Sequence, residues 1–339
     1  MTERKHFDAL ADRVLAGKPP TRNECLSVLG SPETALLSLL DAAFKIRHRH
    51  FGFGVQLHVL KNAKSGLCPE DCHYCSQSSV SDAPIEKYPL QSQDNILAGA
   101  VTAHAGGAHR YCIVTSGRAP TESEVDRLCG TVRAIKDRMD IEICCCLGLL
   151  TADHTRRLRD AGVDRVNHNL NTSESHHDQI VSTHTYKDRL ETLRHVRDAG
   201  LDICSGGIVG MGESHDDIID LAFELNEAGA DSIPVNFLHP ISGTPLEGRE
   251  DLTPRDCLRT LCLFRFINPD REIRVAGGRE RNIRSLQPLA LYPANSIFME
   301  GYLTTNGQAT SDAHQMISDA GFEVTTGQSF DIEPAISVA

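Results

Sequence analysis

Three cysteines lie close together in residues 66–75, which read GLCPEDCHYC. Cys68, Cys72 and Cys75 are near enough in sequence for their thiolates to bind one inorganic centre. A structural zinc site takes four closed ligands, usually as two CxxC pairs, and here only His73 could supply the fourth. A 4Fe–4S cluster usually takes four cysteines, so three leave one iron open to bind a substrate. The spacing therefore favours an open 4Fe–4S cluster, and zinc or unreactive thiols are the alternatives.

The elements that must position this motif alternate between strand and helix. Eight β-rich runs follow one another at the spacing of βαβ units, and they begin near Val55, Arg110, Ile141, Asp164, Asp202, Ser232, Glu272 and Asn295. Helix starts of the capping-box type lie between them, at residues 121–124, 185–188, 214–217 and 253–256. Glycines stand where helices should end, at Gly162, Gly200 and Gly229.

Eight strand–helix repeats predict an α/β fold, a (β/α)8 TIM-type barrel. The alternative is an open doubly wound sheet, but no GxGxxG motif opens the first helix. We expect an N-terminal helical extension over residues 1–50 and the barrel over residues 51–306. A C-terminal helix and a short tail are expected over residues 307–339. The cysteine motif directly follows the first strand, so it should lie at the carboxyl-terminal face, where barrel active sites form.

Three further cysteines, Cys112, Cys144 and Cys204, lie on three different predicted strands. Free cysteine is often buried without a chemical role, and we favour that interpretation for Cys25, Cys129, Cys257 and Cys262. Because inward-facing positions on separate barrel strands converge, the strand cysteines predict a second metal site inside the barrel. Side chains alternate along a strand, so Cys146 shares the face of Cys144 and could compete with it, whereas Cys145 points away.

Several polar residues also lie on the predicted strands. Asn167, Asn169 and Asn171 alternate, so they should face one side of the fourth strand and favour a polar binding site over turn chemistry. Arg274 lies on the seventh strand, where a buried arginine usually pairs with a carboxylate. The histidines at residues 176–177 are interpreted as surface residues rather than a metal site.

The CxxxCxxC motif is similar to that of the radical S-adenosylmethionine superfamily, in which the open iron binds S-adenosylmethionine. A wider set of motifs resembles the biotin synthase family: NAKSG (62–66), CPEDCHYC (68–75), VNHNLN (166–171), CSGGIVGMGE (204–213), VNF (235–237) and GRE (278–280). The similarity extends from about residue 40 to about residue 320.

The resemblance implies a role for each matching position, with no catalytic side chain beyond the cluster ligands. A second cluster, of the 2Fe–2S type, is implied on Cys112, Cys144, Cys204 and Arg274. Contacts with S-adenosylmethionine are implied for Tyr74, Asn169, Asn171, Gly210 and Glu213. Contacts with dethiobiotin are implied for Asn167, Asn236, Thr304 and Thr305.

The resemblance also implies an activity, the last step of biotin biosynthesis. A sulfurtransferase of this family inserts sulfur into dethiobiotin at two unactivated C–H positions, using 5′-deoxyadenosyl radicals from two molecules of S-adenosylmethionine. One alternative is another radical S-adenosylmethionine enzyme on the same barrel. The other is an iron–sulfur sensor without catalysis. Formation of 5′-deoxyadenosine would separate the enzymes from the sensor.

Charge and composition limit the partners and the location. The 34 basic and 46 acidic residues give a net charge of −12, which argues against general binding to nucleic acid or anionic membranes. No apolar run reaches the ~18 residues of a membrane span. We therefore expect a cytoplasmic protein. The family resemblance implies an electron donor of the flavodoxin or ferredoxin type, iron–sulfur assembly proteins as partners, and a homodimer.

Overall fold

A computed structural model describes residues 3–325. Its strands are β1 Gly54–Lys64, β2 Arg110–Thr115, β3 Glu142–Cys146, β4 Arg165–Asn167, β5 Asp202–Cys204, β6 Gly207–Val209, β7 Ser232–Phe237, β8 Glu272–Val275, β9 Ser296–Met299, β10 Gly301–Tyr302, β11 Thr305–Asn306 and β12 Glu323–Thr325. Parallel pairing runs β1-β2-β3-β4-β5-β7-β8-β9, and β9 returns to β1 to close the barrel. Strand β6 also pairs with β7, just beyond the short β5–β7 contact. The predicted (β/α)8 barrel and its eight strands are confirmed.

The helices lie outside the strands. They are α1 Glu3–Leu15, α2 Arg22–Leu29, α3 Leu36–Phe51, α4 Gln93–Ala105, α5 Glu122–Lys136, α6 Ala152–Asp160, α7 Glu174–His177, α8 Tyr186–Asp198, α9 His215–Glu227, α10 Pro254–Ile267, α11 Arg279–Asn282 and α12 Thr310–Asp319, with 3-10 helices Glu33–Ala35 and Arg284–Leu291. The four predicted capping boxes form at the starts of α5, α8, α9 and α10. Each box satisfies backbone N–H groups that the first helical turn leaves unpaired.

Buried apolar side chains within residues 3–325 form three separate groups, of which the smallest consists of Ile180, Met211 and Leu238 and the other two belong to the barrel. The larger lies between the strands and the surrounding helices and includes Cys145, which points outward from β3. The smaller lies inside the barrel and combines Cys112, Cys144 and Cys204 with Ala276 and Phe298. The alternation predicted along β3 is therefore confirmed. Cys145 lies in the outer core, and its neighbour Cys144 lies inside the barrel.

The first and last elements within residues 3–325 lie against the rest of the fold. Helix α3 packs against α1 and α10, and β12 pairs in parallel with the start of β1. The two-stranded β10–β11 hairpin lies after the last barrel strand. The tail expected beyond residue 325 lies outside the described residues, and the domain boundaries at residues 51 and 307 stay predictions. No helix within residues 3–325 is long and apolar enough to cross a membrane.

Two local expectations are wrong. Strand β4 ends at Asn167, so Asn169 and Asn171 lie beyond the strand rather than along it. The histidines of α7 are not surface residues, since His176 is 5% exposed and His177 is 1% exposed. The ring of His177 contacts the carbonyl oxygen of His184 at 3.1 Å and packs edge-on against Tyr186. Helix α7 is thus anchored to the start of α8 by His177.

Candidate active site

A cavity of about 290 Å³ opens among the loops that follow the barrel strands. It brings together fourteen of the sixteen predicted site residues, which are Cys68, Cys72, Tyr74, Cys75, Cys112, Cys144, Asn167, Asn169, Asn171, Cys204, Asn236, Arg274, Thr304 and Thr305. Gly210 and Glu213 do not line it. The Glu213 carboxylate instead accepts hydrogen bonds from the backbone N–H groups of Gly210 (2.6 Å) and Met211 (2.7 Å). Glu213 therefore stabilises the conformation of its own loop.

The first cysteine set lies on the loop after β1, and two acidic residues within the motif tie that loop down. The buried carboxylate of Glu70 accepts a hydrogen bond from the Thr183 hydroxyl at 2.8 Å and contacts His184. Asp71 accepts from the Ser182 backbone N–H at 3.0 Å. Glu70 and Asp71 therefore hold the cysteine motif against the segment before α8, because each carboxylate has a hydrogen-bond partner there.

Burial changes the acidity of the thiols on this loop. Burial raises the pKa of Cys72 to about 11 and that of Cys75 to about 12, and it also raises the pKa of Cys68. Without a bound metal, all three are protonated near neutral pH. Binding of an iron–sulfur cluster would therefore release protons, because iron binds the thiolate form.

The second cysteine set lies deeper, on the strands. Cys112 and Cys144 are direct neighbours in the β2–β3 register, and Cys204 ends β5. The side chains of Cys112, Cys144 and Cys204 pack in one cluster inside the barrel. All three side chains are at most 4% exposed. Cys146, the possible competitor, also lines the cavity but lies outside this group.

Arg274 completes the deep set. Its Nη1 lies 3.8 Å from the Cys204 sulfur, and its Nη2 donates to the Ser232 hydroxyl at 2.8 Å and to Glu272. Its Nε is buried without a hydrogen-bond partner. A buried, unpaired donor is costly unless another group satisfies it. The site thus combines three converging thiols with an unsatisfied guanidinium edge.

The asparagines connect the two cysteine sets. The Asn167 amide nitrogen donates to Asn169 Oδ1 (2.9 Å) and contacts the Cys204 sulfur (3.2 Å). With its amide oxygen turned toward them, Asn171 accepts from the Tyr74 hydroxyl (2.6 Å) and from the Arg189 guanidinium (3.2 Å). One end of this row therefore lies beside the deep thiols and the other beside the cysteine loop.

The remaining predicted contacts already have protein partners. The Asn236 amide donates to the Gly207 carbonyl (3.0 Å) and accepts from the Gly277 N–H (2.9 Å), so it joins β6 to the segment that follows β8. The Thr304 hydroxyl lies 2.7 Å from that of Ser76, and Thr305 donates to its own hairpin. These side chains line the cavity, but a ligand would have to share or replace those bonds.

Sequence reasoning missed a buried cation in this cavity. Arg189 is 7% exposed, and it donates to the Asn169 carbonyl at 2.7 Å. The Nη2 of Arg189 lies 2.5 Å from the Nε2 of His184. Because a guanidinium only donates, His184 Nε2 accepts this hydrogen bond, and His184 Nδ1 carries the proton that faces Glu70. The sequence around Arg189 reads as a charged helix, TYKDRLETLRHVRD. Nothing in it distinguishes the buried arginine from its exposed neighbours.

Solved structures share this architecture. Methylornithine synthase superposes with a TM-score of 0.83 at 20% identity, covering 93% of this chain and 97% of that one. The FeFe-hydrogenase maturase of Carboxydothermus hydrogenoformans superposes with a TM-score of 0.81 at 15% identity, covering 96% of this chain and 80% of that one. At such low identity these similarities establish the fold alone.

Sequence comparison is more specific. The Radical SAM superfamily model matches residues 64–225, and the Biotin and Thiamin Synthesis associated domain matches residues 234–323. Biotin synthase of Rhodopirellula baltica is 55% identical over 320 residues, 94% of this chain and 89% of that protein. Biotin synthase of Bacillus subtilis strain 168 is 54% identical over 315 residues, 93% of this chain and 94% of that protein. The chain therefore belongs to the biotin synthase family of radical S-adenosylmethionine enzymes.

Proposed function

We propose that this chain forms biotin by inserting sulfur into dethiobiotin at two unactivated C–H positions, as a radical sulfurtransferase. One observation carries the proposal, a single cavity lined by two separate thiol sets with Asn167 beside the deeper one. The family uses a 4Fe–4S cluster, a 2Fe–2S cluster and S-adenosylmethionine. Two clusters need two sets of ligands, and the two thiol sets supply them.

The first set fits a 4Fe–4S cluster in its chemistry. Cys68, Cys72 and Cys75 offer three thiols on one anchored loop, and thiolates are the usual ligands of such clusters. Among residues 3–325, no three candidate ligands meet closely enough for a single metal ion. A cluster of several atoms does not require its ligands to meet at one point. We assign these three cysteines to the cluster and leave its remaining iron to S-adenosylmethionine.

The deep set fits a smaller cluster. Cys112, Cys144 and Cys204 converge on the barrel strands, and Arg274 contacts the Cys204 sulfur through Nη1 while its buried Nε has no partner. When bound, the first cluster supplies the electron that cleaves S-adenosylmethionine, and the second supplies the sulfur atom. The protein's part is to keep the two groups at fixed positions around one substrate.

Polar residues of the cavity are assigned by what they can still bind. Asn169 and Asn171 can bind the ribose hydroxyls of S-adenosylmethionine, and the backbone of Tyr74 its adenine. Arg189 offers a buried positive charge to the carboxylate of the same molecule. Asn167 lies beside Cys204, and it orients dethiobiotin so that its reacting carbons face the deep thiols.

The other walls of the cavity are largely apolar. They include Leu60, Leu149, Ile208, Leu238 and Phe298. An apolar, enclosed wall excludes water, which protects a carbon radical from side reactions until sulfur traps it. No acid or base removes hydrogen from an unactivated C–H bond, so each position needs its own radical abstraction. We therefore propose that two molecules of S-adenosylmethionine are used for each biotin.

The test separates the two thiol sets. Cys68→Ala should abolish formation of 5′-deoxyadenosine in the reduced, reconstituted protein under anaerobic conditions, because the first cluster loses a ligand. Cys112→Ala should keep that cleavage but prevent biotin formation. Cys257→Ala, a fully buried thiol on α10 away from the cavity, is the matched control and should keep both. Products are measured by mass spectrometry.

Two results would overturn the proposal. Cleavage of S-adenosylmethionine by Cys68→Ala would contradict the first assignment. Reconstitution of the wild type with isotopically labelled sulfide should give labelled biotin, and unlabelled biotin from a fully labelled deep cluster would contradict the second. Formation of 5′-deoxyadenosine without any biotin would identify a different radical reaction on the same barrel.

Finer features of the partners also belong to this proposal. The reaction consumes electrons, so we include a one-electron donor of the flavodoxin or ferredoxin type. Loss of sulfur from the deep cluster requires rebuilding, which supports a role for iron–sulfur assembly proteins. A homodimer and a cytoplasmic location are proposed on the family relationship. Size measured by light scattering tests the first of these.

A further inference from the structure

A layer of charged side chains lies directly beneath the deep thiols. We name it the floor layer, and its members are His58, Arg110, Arg165, Ser232, Glu272, Arg274 and Ser296. Glu272 is at its centre, 6% exposed, and it accepts hydrogen bonds from Arg165 at 2.7 Å, Arg110 at 3.1 Å and the Ser296 hydroxyl at 2.8 Å. It also pairs with Arg274. One carboxylate therefore joins three arginines from three strands.

The charges around this layer balance. Each arginine has an acidic partner, in the pairs Arg110–Glu142, Arg165–Asp202 and Arg274–Glu272. Glu142 and Asp202 lie toward the outside, with side chains 39% and 55% exposed, whereas Glu272 is buried. A buried charge requires a compensating charge and complete hydrogen bonding. Glu272 is the buried carboxylate that provides this compensation for Arg274.

The guanidinium of Arg274 is held by oxygen acceptors at one nitrogen, Nη2. Its two hydrogen bonds to oxygen, to Glu272 and to the Ser232 hydroxyl, both come from Nη2. Its Nη1 faces the Cys204 sulfur at 3.8 Å, and its Nε has no partner. The ring of Phe298 lies 5.0 Å from the guanidinium carbon. The remaining edge is thereby left available on the side of the thiols.

We infer that Glu272 is a positioning residue for the deep iron–sulfur site: with Ser232 it fixes Arg274 by Nη2 so that the opposite guanidinium edge meets the cluster. The inference rests on the proposed function, since it concerns the cluster held by Cys112, Cys144 and Cys204. Residues that orient a metal-binding group from behind typically change metal retention by about 10-fold to 100-fold when removed.

Three substitutions distinguish the positioning of Arg274 from the effect of charge in the floor layer. Glu272→Gln removes the charge and weakens the hold on Arg274. Ser232→Ala removes only the second anchor and changes no charge. Glu142→Gln removes a carboxylate from the edge of the same region. Glu142 pairs with Arg110 and, within residues 3–325, forms no ion pair with Arg274, so Glu142→Gln is the matched control. Because Glu272→Gln places an amide among several donors, it could fail to fold, and Ser232→Ala then carries the test.

The measurement uses the full chain with Cys68→Ala, which isolates the deep cluster from the signals of the first. After reconstitution we record the visible absorption and circular dichroism of the cluster and its rate of loss to a chelator. Glu272→Gln and Ser232→Ala should change the spectra and lose the cluster about 10-fold faster. Glu142→Gln should match its parent in both measurements.

Each other outcome counts against the inference. Unchanged spectra and retention in Ser232→Ala and Glu272→Gln would overturn the positioning role while the proposed function stands. Equal changes in Glu142→Gln and Glu272→Gln would mean that the region acts through charge alone. If the Cys68→Ala parent itself holds no cluster, both the proposed function and this inference fail.

Discussion

Gly206 lies where the two asparagines beyond β4 meet the neighbouring loop, and its replacement by alanine gives a sharp test of the site. Its N–H donates to Asn169 Oδ1 at 3.1 Å, and its carbonyl accepts from the Asn171 N–H at 3.0 Å. A Cβ at this position would come within 2.8 Å of the Pro234 carbonyl carbon and closer still to its oxygen. The obstacle is backbone, so the loop has to move.

The expected cost has two parts. Overpacking of a tight backbone contact destabilises by about 1 to 3 kcal/mol. Relief of the clash requires a shift on the order of 1 Å, and a displacement of that size in groups that position a substrate costs about 100-fold in rate. Gly206→Ala should therefore lower both the free energy of unfolding and the rate of 5′-deoxyadenosine formation.

Gly200→Ala is the matched control. Gly200 has a φ of +75° but nothing within 4 Å of a new Cβ, so the substitution costs backbone strain of about 1 to 2 kcal/mol without moving the asparagines. Unfolding in urea followed by circular dichroism gives the stability of both variants, and the initial rate per reconstituted cluster gives the activity. Wild-type activity in Gly206→Ala would refute the idea that this contact positions Asn169 and Asn171.

Two further predictions concern other contacts. His184→Leu removes the acceptor that holds Arg189, so the reconstituted protein should bind S-adenosylmethionine about 10-fold more weakly in anaerobic calorimetry, equivalent to roughly 1.4 kcal/mol; an unchanged Kd would contradict the assignment of Arg189. Glu24→Gln should destabilise the N-terminal helices at pH 7, because hydrogen bonds from Arg13 lower the pKa of Glu24 from 4.5 to about 2. The stabilisation is present above pH 4.5 and is lost as the pH falls through about 2, so the two proteins should converge in acid unfolding.

The elements of the barrel could be predicted because they depend on local signals. A capping box such as Thr121 with Glu124 pairs the free backbone N–H groups at the start of a helix, and it does so independently of the tertiary fold. The two-residue alternation in β3 likewise sends Cys144 inward and Cys145 outward without reference to the rest of the fold. Eight β-rich runs with helix starts between them leave few ways to close a parallel sheet, so the architecture follows from the sequence.

The position of β4's end and the partners of the site residues could not be predicted in the same way. Strand β4 ends at Asn167, and Asn171 beyond it has a φ of +72°, but nothing in VNHNLN distinguishes the two asparagines. The burial of His177 depends on contacts with Tyr186 and with the backbone of His184. Arg189 is buried because Asn169 and His184 approach it from other elements. These facts arise from tertiary contacts, which periodicity does not encode.

The two thiol sets differ in what holds them, and that difference matches the work proposed for each. Cys68, Cys72 and Cys75 lie on a loop anchored mainly through Glu70 and Asp71 to a segment more than a hundred residues away. The deep thiols lie on paired strands above a charged layer. An iron–sulfur cluster that only transfers an electron can be held by a loop. A cluster that donates an atom to a substrate radical must be held at a fixed distance from that radical. The strands supply that fixed distance, and the loop lets the other cluster remain near the mouth of the barrel.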